Sequence, residues 1–301
     1  MSRLILIAAL SGGLVSAQSP NVAGVWKADL QKSKIPGPPL KDYVEIIEQN
    51  GAKVTETSGS FGQRGEQRSV LKYSTDGKST IGPYQGVPSR VTANWNGNTL
   101  VMKVETAGRP DVMTRSYKLS PDGQTLTITT EATRNGHRMQ STIVLQKQPD
   151  SAAEPLRTPE ETAEKHFKNV KTATMKPLPA SQFVDNMRYI SWALNKECEF
   201  CHVKDKFDSD DKKEKRTARK MIDMTASINT ENFKGKPEVR CYTCHEFHAK
   251  AQSRPRFEGE PEKKEDEHER PNEHTRPVSD GAQSTGKSGW AFSVSWHTRR
   301  N

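Results

Sequence analysis

Asn96-Gly97-Asn98-Thr99-Leu100-Val101-Met102-Lys103-Val104-Glu105 reads as a tight turn that opens a strand. Both residues of an Asn-Gly pair tolerate the positive φ that a short hairpin turn demands. The run behind it alternates apolar and polar positions, the period-two signature of a half-buried strand. The same grammar recurs on either side. Tyr43-Val44-Glu45-Ile46-Ile47, Thr125-Leu126-Thr127-Ile128-Thr129 and Ser141-Thr142-Ile143-Val144-Leu145 read as strands. Asn50-Gly51, Asp76-Gly77, Asp122-Gly123 and Asn135-Gly136 read as turns between them. About eight to ten strands in an up-and-down meander are expected over residues 18–148. A closed antiparallel barrel is the natural way for such a meander to hide its edges.

Both flanks change character. Residues 1–17 have the pattern of a secretory signal: Arg3, an apolar run from Leu4 to Val15, and Val15-Ser16-Ala17 before Gln18. A periplasmic or otherwise exported bacterial protein is expected, without an integral membrane segment after cleavage. Residues 149–165 read as a Pro-rich linker. Domains joined this way fold alone, so the segment beyond residue 165 is expected to stand without the barrel.

Residues 166–249 read as a small, mostly helical domain. Phe183, Met187, Ile190 and Leu194 share one helical face, and Ala218, Met221, Ile222, Thr225 and Ile228 share another. Residues 250–301 read as a disordered tail, rich in charge and proline from Glu258 to Asp280. Over all 301 residues, 32% hydrophobic content and a mean hydropathy of −0.85 argue against one large core. The net charge of +9 is moderate for this length and does not imply a nucleic-acid partner.

The chemistry sits in the helical part. Its four cysteines, the only ones in the chain, form Cys198-Glu199-Phe200-Cys201-His202 and Cys241-Tyr242-Thr243-Cys244-His245. C-x-x-C-H is the attachment signature of c-type haem. Two thiols one turn apart reach the two vinyl groups of one porphyrin, and the adjacent histidine supplies the proximal imidazole. Two haem c groups are expected, on Cys198/Cys201 with His202 and on Cys241/Cys244 with His245. A zinc site fits less well: the 39 residues between the pairs exceed ribbon spacing, and zinc needs no histidine after each pair. Redox disulfides lack the strand-to-helix context of a thioredoxin motif. For the sixth iron position, Met187 lies 11 residues before Cys198, and Met221 lies 20 before Cys241. Either is equally a core residue by position, and Met224, His248 and His166 are alternatives.

The stretch from about His166 to His245 resembles the cytochrome c subunit of photosynthetic reaction centres, in the two-haem form found as separate exported proteins. The resemblance rests on Phe167-Lys168-Asn169-Val170-Lys171, on Met187-Arg188-Tyr189-Ile190 leading to the first motif, on Arg216 to Met224, and on the second motif. It implies that Met187 and Met221, each on the helix before a haem motif, are the distal ligands. This chain also departs from the pattern. Its cysteines suffice for two haems rather than four, residues 225–240 contain no histidine, and Glu246-Phe247 replaces the family's Arg-Gly. Photosynthesis itself is not implied. More loosely, Gly24-Val25-Trp26 resembles the Gly-x-Trp that closes lipocalin-like barrels.

The sequence thus reads as a two-domain protein, an antiparallel barrel followed by a helical dihaem cytochrome. Its expected function is electron transfer with a redox partner protein rather than catalysis. A small apolar ligand inside the barrel is expected, unless side chains fill the interior. The alternatives are a haem enzyme, peroxidase-like or an oxidase subunit, with one open iron, or a ligand sensor with the barrel as receptor.

Overall fold

The structure is a computed structural model that describes residues 21–62, 65–134 and 137–255. The expected signal segment, the Asn135-Gly136 turn and most of the expected tail lie outside them.

Ten strands form one antiparallel sheet: β1 (Gly24–Ala28), β2 (Leu40–Asn50), β3 (Lys53–Gly62), β4 (Gly65–Ser74), β5 (Thr80–Tyr84), β6 (Val87–Asn96), β7 (Thr99–Thr106), β8 (Val112–Leu119), β9 (Thr125–Arg134) and β10 (His137–Gln148). The spatial order is β4-β3-β2-β1-β10-β9-β8-β7-β6-β5. Every neighbour in chain order pairs except β4 and β5, and β1 pairs with β10. The meander is therefore a nearly closed barrel with one seam, between β4 and β5.

Alternation along each strand fills the interior. On β7, Leu100, Met102 and Val104 are buried and Lys103 is exposed. Leu126, Ile128 and Leu145 add to the same cluster. Trp26 is fully buried in it and donates its indole N–H to Val22 O at 3.0 Å. Each such Leu or Ile contributes about 1.5–3 kcal/mol by leaving water.

Two hairpins differ from the sequence reading by one position. Asn50 pairs with Lys53 and Asn96 with Thr99, so each asparagine ends a strand. Gly51 and Gly97 then take the first loop position, with φ +59° and +58°. Only the glycine adopts the left-handed conformation there. A further tight turn, Gln85-Gly86 between β5 and β6, has positive φ at both residues. Gln-Gly is a weaker turn signal than Asn-Gly, and the sequence alone does not mark it.

The chain leaving β10 stays on the barrel. Asp150–Ala153 and α1 (Glu154–Arg157) bury Ala153 and Leu156 against Val25 and Val44 on the sheet's outer face. Arg68 donates to Pro155 O (2.7 Å), Thr158 O (2.6 Å) and Leu156 O (3.3 Å), and pairs with Glu66. After α2 (Ala163–His166) come α3 (Ala180–Leu194), α4 (Lys213–Phe233) and α5 (Cys241–His245). Helix α3 packs against β4 and β6. It covers the region of the seam, which is how an unpaired sheet edge is kept from other chains.

Candidate haem site

Both motifs fold locally into helical turns. Cys198–Phe200 is a 3-10 turn in which Cys201 N and His202 N donate to Cys198 O at 3.2 and 3.0 Å. The second motif is α5 itself. Its start is fixed by Arg240 N donating to Thr243 Oγ1 at 3.0 Å. All four thiols are free, with Cys198 and Cys244 exposed and Cys201 and Cys241 half-buried. Burial pushes the Cys201 and Cys241 thiols up from their ordinary value. Among the described residues, no three His, Cys, Asp or Glu side chains gather as a metal cluster.

The histidines share one arrangement. His202 Nδ1 lies 3.0 Å from Phe207 O, and His245 Nδ1 lies 2.9 Å from His248 O. A carbonyl can only accept, so Nδ1 must carry the proton in each ring. Nε2 is then the unprotonated nitrogen, the tautomer a metal-ligating imidazole needs. Burial also pulls His202 below its ordinary pKa, which favours the neutral ring.

The first motif is anchored by charge. Asp210 lies beyond it in the loop that leads to α4. Its carboxylate meets Lys171 Nζ (2.6 Å), Arg219 Nη1 (2.9 Å), Lys215 Nζ (3.3 Å) and Asn169 Nδ2 (2.8 Å). The hydrogen bond from Lys171, followed by those from Asn169, Arg219 and Lys215, holds Asp210 well below the usual carboxylate range. Lys215, buried in α4, donates to Phe207 O at 2.9 Å, the same carbonyl that holds His202. The stretches 167–171 and 216–224, separate in sequence, therefore meet beside the first motif.

The second motif is anchored by packing. Tyr242, inside C-x-x-C-H, stacks on Trp192 of α3 with centroids 5.0 Å apart, and Phe247 meets both rings edge-on. Trp192 is buried and donates its indole N–H to Ala107 O of the β7–β8 loop at 2.8 Å. Arg109 Nη2 reaches Ser191 O at 3.4 Å. A Cβ on Gly108 would overlap the Phe247 ring. Phe247 holds φ +67°, a conformation that suits glycine, and its N–H donates to Ala193 O at 2.9 Å. The residue that departs from the Arg-Gly pattern is thus the one wedged between the barrel and the second motif. Asn229 ties α4 to the segment that leads into α5 through Val239 O (2.7 Å) and Val239 N (2.9 Å).

The expected distal ligands are on α3 and α4. Met187 is half-buried on α3. Met221 and Met224 are 41% and 47% exposed on α4, where only Lys215 of 21 residues is buried. The stripe of Met221, Ile222, Thr225 and Ile228 has no buried member, although a helix draws most of its stability from packing such a face. His166 sits elsewhere, 3.1 Å from Glu161 and against the backbone of Gly65. His248 lends its carbonyl to His245. Paired thiols, an Nε2 lone pair beside each pair, and an apolar helical face between the motifs fit haem c.

The sequence model of the photosynthetic reaction centre cytochrome C subunit family matches residues 109–276, more than half of the chain. The chain belongs to that family. Family membership implies covalently bound haem c and electron transfer. The match begins at Arg109, so it takes in β8–β10 as well as the helices. No curated protein matches the chain. Among solved structures, the barrel is similar to a secretory abundant heat soluble protein from Ramazzottius varieornatus, with 12% identity and TM-score 0.35 over 44% of this chain and 98% of that one. It is also similar to Caenorhabditis elegans lipid binding protein 8, with 10% identity and TM-score 0.34 over 45% and 99%. Fatty-acid-binding protein from Manduca sexta gives 14% identity and TM-score 0.31 over 42% and 99%. No helix among the described residues is long and apolar enough to cross a membrane.

Proposed function

We propose that this reaction-centre-type cytochrome is an exported bacterial dihaem protein that relays electrons between partner proteins. In this reading Cys198 and Cys201 attach one haem and Cys241 and Cys244 the other. His202 and His245 are proximal ligands, and Met187 and Met221 are distal ligands. The division into barrel (18–148), linker (149–165), cytochrome domain (166–249) and tail (250–301) belongs to the same proposal.

The observation that carries it is the shared histidine arrangement, with Nδ1 on a backbone carbonyl in both motifs. That bond fixes each ring plane and leaves the Nε2 lone pair free to ligate a metal. Bound haem supplies an iron that cycles between Fe(II) and Fe(III). The chain's own part is to hold the imidazoles, bury one face of each group and shield it with α3 and α4. Methionine as the distal ligand raises the potential and leaves no position for a substrate, which favours a carrier over an enzyme. The link from His166 to Glu161 favours the methionines over that histidine.

Optical spectra in both redox states, with a pyridine haemochrome assay, test this reading. Two haems per chain, the long-wavelength band of Met-to-iron charge transfer, and weak carbon monoxide binding are expected. One haem per chain, or ready carbon monoxide binding, would count against it. Met187→Ala and Met221→Ala should each open one iron to carbon monoxide, and an effect of Met224→Ala in place of Met221→Ala would move the second ligand by one turn.

A further inference from the structure

The barrel interior is divided along its axis. Around Trp26 it is packed with Ile47, Val54, Leu100 and Leu126. Toward α3 the inward positions turn polar. On β3 they run Val54, Glu56, Ser58, Ser60, and on β4, read in register, Tyr73, Leu71, Ser69, Gln67. Thr130 of β9 and Arg115 of β8 continue this wall. From Glu56 and Leu71 toward α3, these residues line a cavity of about 270 Å3. Serine, threonine and glutamine at core-facing strand positions contribute little to packing, and such breaks of the local rule concentrate at functional sites. The wall is not the apolar surface expected for a barrel ligand from the sequence.

Charge inside the cavity is already balanced. Arg115 Nη1 meets Glu56 Oε1 at 2.6 Å, and Tyr117 donates to Glu56 Oε2 at 2.7 Å. Burial works against ionised Glu56, but Arg115 and these hydrogen bonds hold it below its usual range. Burial, followed by the charge of Glu56, pushes Glu45 well up, and its carboxyl accepts from Tyr43 at 2.8 Å and lies 3.8 Å from Arg115. Arg68 is spent on Glu66 and on three backbone carbonyls. Arg188 of α3, at the wall, pairs with Asp185 at 2.8 Å. Among the described residues of the wall, an anion would find no unpartnered cation, and a cation no unpartnered carboxylate. The groups left over are hydroxyls and amides, which can both donate and accept. Tyr43, Tyr84 and Leu71 add limited apolar surface.

We propose that this cavity binds a small, uncharged, hydroxyl-rich molecule of monosaccharide size. Each ligand hydroxyl can both give and take a hydrogen bond, as the serine wall requires, and its C–H faces can lie against the tyrosine rings. The site is independent of the haem proposal, since it consists of barrel side chains and one residue of α3.

Titration calorimetry of the full-length haem-loaded protein with D-glucose, D-galactose and myo-inositol, with octanoate as the lipid-like comparison, tests the proposal. At least one of the three polyols should bind saturably, with an affinity that does not change with salt. Ser58→Ala and Ser69→Ala remove hydroxyls without adding bulk and should each weaken that binding roughly tenfold. Both variants should keep the wild-type far-ultraviolet circular dichroism and unfolding midpoint, which shows that the barrel is folded. The proposal is overturned if none of the polyols binds, if octanoate binds in their place, or if the serine substitutions leave binding unchanged.

Discussion

The two C-x-x-C-H motifs share a pattern and differ in what holds them. The first hangs from Asp210, where one carboxylate gathers Lys171, Lys215 and Arg219 and so joins the 167–171 stretch to α4. The second is clamped by Trp192, Tyr242 and Phe247 onto the barrel loop at 107–109. One support is polar and partly exposed, so salt and acid reach it. The other is aromatic packing, so volume governs it. Identical motifs do not require identical scaffolding, and the barrel loop at 107–109 packs beside the second.

The packed side should break hardest. Trp192→Ala removes a buried aromatic and the bond to Ala107, and should cost about 3–5 kcal/mol. Denaturant unfolding would measure this, with the signal of the second motif lost before that of the first. Gly108→Ala puts a methyl into the Phe247 ring at a left-handed position. It should cost about 1–3 kcal/mol and be read in the same experiment.

The polar side should break by pH. Asp210 is depressed when folded, so its contribution is complete above the unfolded carboxylate value of about 3.9. It is lost as pH falls below that value toward the folded pKa. Asp210→Asn should therefore lower stability at neutral pH, and the gap to wild type should close in acid. Acid titrations of both proteins, followed near the first motif, would show it. A gap that widens in acid would contradict the assignment.

The smallest effect is expected from Phe247→Gly. Relief of the positive φ returns about 1 kcal/mol, against the lost ring contacts. Net stability should change by no more than about 1 kcal/mol, while Trp192 emission shifts as its edge contact disappears.

Local signals were legible in the sequence and long-range ones were not. The strands at 43–47, 99–105, 125–129 and 141–145 all fall within β2, β7, β9 and β10, because period-two burial is written residue by residue. The helical turn of each motif was legible for the same reason, because the C-x-x-C spacing sets its own local geometry. The docking of Ala107-Gly108-Arg109 on α3 was not, since Ala107 and Trp192 are 85 residues apart and no local pattern links them. Composition marked residues 149–165 as a linker, but Leu156 finds a place on the sheet that composition does not report. Asp210 is one charge among many between Lys204 and Lys213, and its role depends on which cations fold around it. The serines of β3 did carry a signal, three polar residues at Glu56, Ser58 and Ser60 on an inward parity, but parity is known only once the register is.

The central claim is that both motifs carry covalent haem. Intact mass spectrometry of the exported protein, from a host competent in cytochrome c maturation, tests it most directly. The account predicts the polypeptide plus two haem masses for wild type. It predicts one haem mass after Cys198→Ala with Cys201→Ala, and one after Cys241→Ala with Cys244→Ala. A wild-type mass with one haem or none would contradict it.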